Sequence, residues 1–147
     1  MKYSTNYSIL LIEDDDLDRE KVERAIARLG IDNPLFHARD GIEALQMLRQ
    51  EIPGPPTSEP IVALLDINMP RMNGHEFLDE IRKDNALRRL PVFVMSTSDR
   101  MTDINRAYDH HVTGYVIKPF SMQETYDTIE ALVGAWRRLC FPTSQPT

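Results

Sequence analysis

Ile61-Val62-Ala63-Leu64-Leu65-Asp66-Ile67-Asn68-Met69-Pro70-Arg71-Met72-Asn73-Gly74 reads as a strand, a turn and the start of a helix. Five uninterrupted apolar residues fit a strand buried on both faces, the environment of a central strand in a parallel sheet. An acid follows at once. Pro70 and Gly74 mark the turn, and Phe77, Leu78 and Ile81 then recur on one side of a helix predicted to run to about Lys83. Strand, polar residue and covering helix form one repeat of an α/β sheet.

The pattern extends in both directions from this unit. Upstream, an apolar run over 8–12 ends in carboxylates, and a helix follows over 17–29 with Val22, Ala25, Ile26 and Leu29 on one stripe, closed by Gly30. A weaker strand over 35–38 precedes a helix over 41–49 carrying Ile42, Leu45 and Leu48. Residues 52–60 hold four prolines and a glycine and can only be a surface loop. Downstream, strands are predicted over 92–95 and 115–117, separated by a short helix over 102–110. A last helix starts near Ser121, with Ile129, Leu132, Val133 and Trp136 on a stripe continuing through Leu139 and Cys140; the end over 142–147 reads as frayed. Five strand and helix pairs predict a doubly wound five-stranded parallel sheet, (βα)5, with an extended C-terminal helix and tail.

Composition narrows the function. The chain has 147 residues, with 17 Lys and Arg against 23 Asp and Glu, and a formal charge of −6. That balance speaks against nucleic acid as the main ligand, since a phosphate-tracking surface needs clustered cations. No apolar run reaches membrane-spanning length, and the start of the chain lacks a cleavable hydrophobic segment. Cys140 is the single cysteine, so an intramolecular disulfide is impossible and a reducing, cytoplasmic setting is expected.

In open α/β sheets, functional groups gather at the carboxyl ends of the strands. There the first strand delivers Glu13, Asp14 and Asp15, the third Asp66, the fourth Ser96, Thr97 and Ser98, and the fifth Lys118. Converging carboxylates repel, and the usual remedies are a raised pKa or a bound cation. Hard oxygen donors suit Mg²⁺. A cation beside an ammonium and a hydroxyl is also what a transferring phosphoryl group requires.

These segments resemble the receiver domain of two-component response regulators. The resemblance is carried by Leu10-Leu11-Ile12-Glu13-Asp14-Asp15, by the stretch from Leu65 to Gly74, by Pro91 through Ser98, and by Gly114-Tyr115-Val116-Ile117-Lys118-Pro119-Phe120. It implies a receiver, flavodoxin-like fold over 8–138, with an extension over 1–7 and a tail over 139–147. It implies Asp66 as phosphoacceptor from a sensor histidine kinase, with Mg²⁺ held by Asp14, Asp66 and the Asn68 backbone carbonyl and by Glu13 at least partly through water. Lys118 and Ser96 would bind phosphoryl oxygens, Tyr115 would turn inward with the switch, and Asn68 and Ser98 would tune dephosphorylation. A cis Lys118-Pro119 peptide is implied as well.

Within the family, the proline-bearing loop, the Ser96-Thr97-Ser98 run and the apolar C-terminal stretch resemble the single-domain regulators of bacterial phytochromes. That finer likeness implies a phytochrome kinase as phosphodonor and a homodimer on the fourth helix, fifth strand and fifth helix. Trp136, Leu139 and Phe141 are expected at an interface, with no output domain following. The protein is then a switch catalysing its own phosphotransfer and autodephosphorylation, not a metabolic enzyme.

Other readings stand beside these. Asp15 or Asp16 could cap the first helix, with Asp18 merely part of an acidic helix start. His37, His75, His110 and His111 lack ligand spacing and are expected in surface or packing roles. Two alternative functions remain: a constitutive binding module without phosphorylation, and an aspartyl-phosphate phosphatase. The phosphatase signature of Asp-x-Asp-x-Thr or Val is missed at Asp18 and at Asn68.

Overall fold

The computed structural model describes residues 6–143. The expected extension over 1–7 and tail over 139–147 therefore fall partly outside the described residues, at 1–5 and 144–147. Ten elements follow in strict alternation: β1 (Ser8–Ile12), α1 (Asp16–Arg28), β2 (Leu35–Ala38), α2 (Gly41–Leu48), β3 (Ile61–Leu65), α3 (Gly74–Lys83), β4 (Val92–Ser96), α4 (Met101–Asp109), β5 (Gly114–Ile117) and α5 (Met122–Trp136). The strands pair in parallel in the order β2-β1-β3-β4-β5. This is the doubly wound sheet expected from the sequence, and its strand order reverses between β1 and β3. That reversal opens a crevice at their carboxyl ends.

Strand side chains alternate between two apolar layers. Leu10, Ile12, Ala63, Leu65, Val92 and Val94 face α2, α3 and α4 and pack with Leu45, Phe77, Leu78 and Ile81. Ile9, Leu11, Val62, Leu64, Phe93 and Met95 face α1 and α5 and pack with Val22, Ile26, Ile129 and Val133. No helix among the described residues is long and apolar enough to cross a membrane.

Local chemistry sets the helix ends. Asp15 caps α1 by accepting from the Asp18 N–H at 2.9 Å, and Gly30 takes a φ of 66° just past its end. Asn73 and Glu76 form a reciprocal capping box on α3.

The C-terminal expectation needs correction. Helix α5 stops at Trp136, and the chain turns back instead of projecting through Leu139 and Cys140. Trp136 is 1% exposed, with its ring 6.1 Å from Tyr7 and 5.4 Å from Phe93. It is buried in the chain's own core and cannot present its side chain to a partner. Past Trp136 a continuing helix would find no apolar layer to cover, whereas the returning chain lays Phe141 against the Tyr7 ring at 5.7 Å. Leu139 stays exposed.

Trp136→Ala is accordingly expected to destabilise the protein by about 3–5 kcal/mol, measured by denaturant unfolding. Leu139→Ala should stay within about 0.5 kcal/mol of the native chain.

Candidate functional site

Each strand bordering the crevice contributes one polar group where its apolar run ends. Glu13 follows β1, Asp66 follows β3, Ser96 closes β4 and Lys118 follows β5. The backbone ties these ends together, with Glu13 N–H donating to the Ala38 carbonyl, Asp66 N–H to Ile12 and Lys118 N–H to Ser96. Carboxylate oxygens of Glu13, Asp14 and Asp66 all lie within 4.8 Å of one another, Glu13 and Asp66 buried and Asp14 exposed. Such a set of hard oxygen donors, with one member open to water, fits a hydrated Mg²⁺.

Lys118 reaches across the end of β4 into this cluster. Its Nζ lies 2.8 Å from Glu13, 2.8 Å from Asp18 and 3.6 Å from Asp66, and its side chain is only 11% exposed. Burial alone would lower the ammonium's pKa, but hydrogen bonds to Asp18 and Glu13 and the charge of Asp66 raise it above the usual lysine value. The carboxyls respond in the opposite sense. Burial, then the neighbouring Asp66 charge, pushes Glu13 up to about 8 despite Lys118, and burial likewise raises Asp66.

Ser96 is fully buried and its Oγ accepts from the Ser98 N–H at 3.1 Å, while Thr97 points outward. Tyr115 is half-buried against the layer beneath α3 and α4, and its hydroxyl donates to the Ser98 carbonyl at 2.8 Å. Asn68 is exposed in the loop after Asp66. That loop is fastened from two sides. Arg71, at a φ of 63°, places its Nε 2.6 Å from the buried Asp40 carboxylate, and Gly41 N–H donates to the Met72 carbonyl. Beneath it Gly74 packs so closely that an added Cβ would lie 2.6 Å from the Asp66 carbonyl oxygen.

The structure thus brings Glu13, Asp14, Asp66, Ser96 and Lys118 together. It corrects the expected cis peptide: Lys118-Pro119 is trans, as no cis bond occurs among the described residues. The ammonium enters the crevice through its long flexible stem, and the trans form is the lower in energy. Sequence reading missed Asp18 as a partner of Lys118, because an acid in a first helical turn ordinarily serves the helix. It also missed His75, which is buried and lies 3.2 Å from Asp103. Neither contact has a signal in local sequence.

The chain is similar to known proteins over most of its length. The family profile described as the response regulator receiver domain matches residues 9–130. The chain is 38% identical over 130 residues to "Probable methanogenesis regulatory protein FilR2" of Methanothrix harundinacea, covering 88% of this chain and 83% of that protein. It is 32% identical over 128 residues to response regulator Rcp1 of Synechocystis, covering 87% of each. A solved structure of the Mn²⁺-bound form of Rcp1 superposes with a TM-score of 0.80 over 94% of this chain and 99% of that one. The phosphorylated cyanobacterial phytochrome response regulator RcpA superposes with a TM-score of 0.85 at 34% identity, over 95% of this chain and 100% of that one.

The raised Glu13 carboxyl has a measurable consequence. An ionised Glu13 favours a cation at this cluster, so Mg²⁺ binding is expected to displace a proton below about pH 8. Mg²⁺ affinity is therefore expected to rise between about pH 6 and about pH 9, with proton release at neutral pH. Calorimetric titration in buffers of different ionisation enthalpy checks this. Glu13→Gln should flatten the dependence.

Proposed function

Since the chain belongs to the response regulator receiver domain family, we propose that it is a phosphorylation switch which takes a phosphoryl group onto Asp66 from a sensor histidine kinase. One observation carries this reading: Asp66 sits among the Glu13 and Asp14 oxygens, with the Lys118 ammonium 3.6 Å away and the buried Ser96 hydroxyl at the neighbouring strand end. A carboxylate next to further carboxylate oxygens, an ammonium and a hydroxyl donor can accept a phosphoryl group and stabilise it.

An Asp66 carboxylate oxygen attacks phosphorus as the P–N bond of the donor phosphohistidine breaks, and the electron pair leaves on the imidazole nitrogen. Lys118 exchanges its contacts with Glu13 and Asp18 for a phosphoryl oxygen, and Ser96 donates its hydroxyl proton to another. Glu13, Asp14, Asp66 and the Asn68 carbonyl would hold Mg²⁺, which when bound neutralises charge on the phosphoryl oxygens. Tyr115 holds the loop after β4 by its hydroxyl, so movement of that loop reaches the β5 surface. Asn68 and Ser98, two residues after Asp66 and Ser96, would influence how fast water removes the phosphoryl group.

The likeness to RcpA supports a phytochrome kinase as the phosphodonor. Met101, Tyr108 and Ile117 are exposed apolar residues of α4 and β5. They support a homodimer on the α4, β5 and α5 face, with Leu139 and Phe141 beyond its edge. The setting assigned is the cytoplasm, with proteins and not nucleic acid as partners.

Incubation with acetyl phosphate should add one phosphoryl group by intact mass, dependent on Mg²⁺ and absent in Asp66→Asn. No gain in a folded, Mg²⁺-binding protein would instead favour a constitutive binding module. Ile117→Arg should raise the monomer fraction in sedimentation; an unchanged mass distribution would remove that face from assembly.

A further inference from the structure

Next to the loop after Ser96 lies a polar pair, His75 and Asp103, that the proposed reaction leaves unused. His75, in the first turn of α3, is 3% exposed, and its Nε2 lies 3.2 Å from Asp103 Oδ1 in the first turn of α4. The other Asp103 oxygen accepts the Ser98 hydroxyl at 2.5 Å. Ser98 is held at further points: its N–H donates to Ser96 Oγ, its carbonyl accepts from Tyr115, and its Oγ accepts from the Arg100 N–H. An unbroken chain of hydrogen bonds thus runs from α3 through α4 to the serine of the crevice.

The direction of this chain is set at its far end. Nδ1 of His75 is buried with no hydrogen-bond partner. A proton on Nδ1 would have no acceptor, so the ring is fixed as the neutral tautomer that donates from Nε2 to Asp103. Burial lowers the ring's pKa below its ordinary 6.5, although the Asp103 hydrogen bond acts to raise it. The charged and titratable neighbours are Asp103 and Arg106 of α4 and His110 just beyond it, and the last two also oppose a second proton. Asp79, one turn along α3, is engaged by Lys83. Asp103 is held well below the usual carboxylate range, first by the Ser98 hydroxyl and then by His75. An ionised Asp103 can only accept, so the Ser98 hydroxyl must point to it.

We propose that His75 and Asp103 are a positioning pair for phosphoryl transfer, in which the neutral imidazole fixes Asp103, Asp103 fixes Ser98, and the Ser98 N–H orients Ser96. With its oxygen accepting from Ser98, Ser96 keeps its own proton for a phosphoryl oxygen. This deepens the receiver reading and rests on it. Loss of Asp103 releases the loop over 97–100 and slows transfer. The cation site belongs to β1 and β3 and is left intact.

The test is the rate of Asp66 phosphorylation by acetyl phosphate at saturating Mg²⁺ and one fixed pH, followed by intact mass for native, His75→Gln, Asp103→Ala and Asp103→Asn chains. Asp103→Ala should react about tenfold more slowly at pH 7.5 with Mg²⁺ affinity unchanged. His75→Gln, whose side-chain amide can still donate to Asp103, should keep the native rate. Equal rates for Asp103→Ala and native chains would overturn the pair. A native chain that is never phosphorylated defeats the receiver reading instead. Amide hydrogen exchange at Ser98 then tests the pair independently, with protection expected to fall about tenfold in Asp103→Ala and unchanged protection refuting it. Asp103→Asn, which keeps the side-chain volume, separates a lost charge from a folding defect.

Discussion

The Lys118 ammonium is the contact on which the crevice depends. Glu13 and Asp66 are carried out of water at the ends of two adjacent strands, and burial raises both carboxyl pKa values. Two such groups, side by side, would be costly without a counter-charge. The ammonium answers Glu13 directly and Asp66 at slightly longer range, and a third acid, Asp18, completes its shell. Because β4 stands between β3 and β5, the lysine stem must pass over the end of β4. The small Ser96 side chain there leaves that path open. The fold's strand order and the site's charge balance are therefore one constraint: moving any of these strand ends separates acid from base.

Much of this is legible in one dimension because a parallel sheet repeats a simple rule. Apolar runs buried on both faces are continuous, so 8–12 and 61–65 coincide with strands to the residue, and the first polar residue after each run marks a strand end. Glu13, Asp66, Ser96 and Lys118 follow from that rule alone. What escapes it depends on helix register and on contacts distant in sequence. Asp18 looks like a helix-start acid; that role falls to Asp15, and one turn of helix swings Asp18 toward a lysine a hundred residues away. His75 and Asp103 pair across two helices for the same reason. The end of α5 escapes too, since periodicity continues past Trp136 although the apolar layer beneath it does not.

Around the crevice the surroundings divide by stiffness. The loop after Asp66 is fastened by Arg71 to Asp40, and below it Gly74 admits no side chain. Burial opposes ionisation of Asp40, but the Arg71 hydrogen bond holds its carboxyl below the usual range. The loop after β4 is instead held by hydrogen bonds to Ser98 that can be exchanged one at a time. A rigid acceptor loop beside an exchangeable donor loop suits a site that must keep Asp66 still while the surface nearby changes.

The packing of Phe141 on Tyr7 bears on how the chain could be rewired. Tyr7 leads into β1 at the amino edge of the sheet, and Phe141 follows α5 to the same edge, their ring centroids 5.7 Å apart. The crevice lies at the opposite, carboxyl edge, a full strand length away. A short linker joining these two points, with new ends opened in the proline-bearing loop over 52–60, would give a circular permutant in which every strand keeps its neighbours. Chemistry at one edge and chain continuity at the other are separable properties of this sheet.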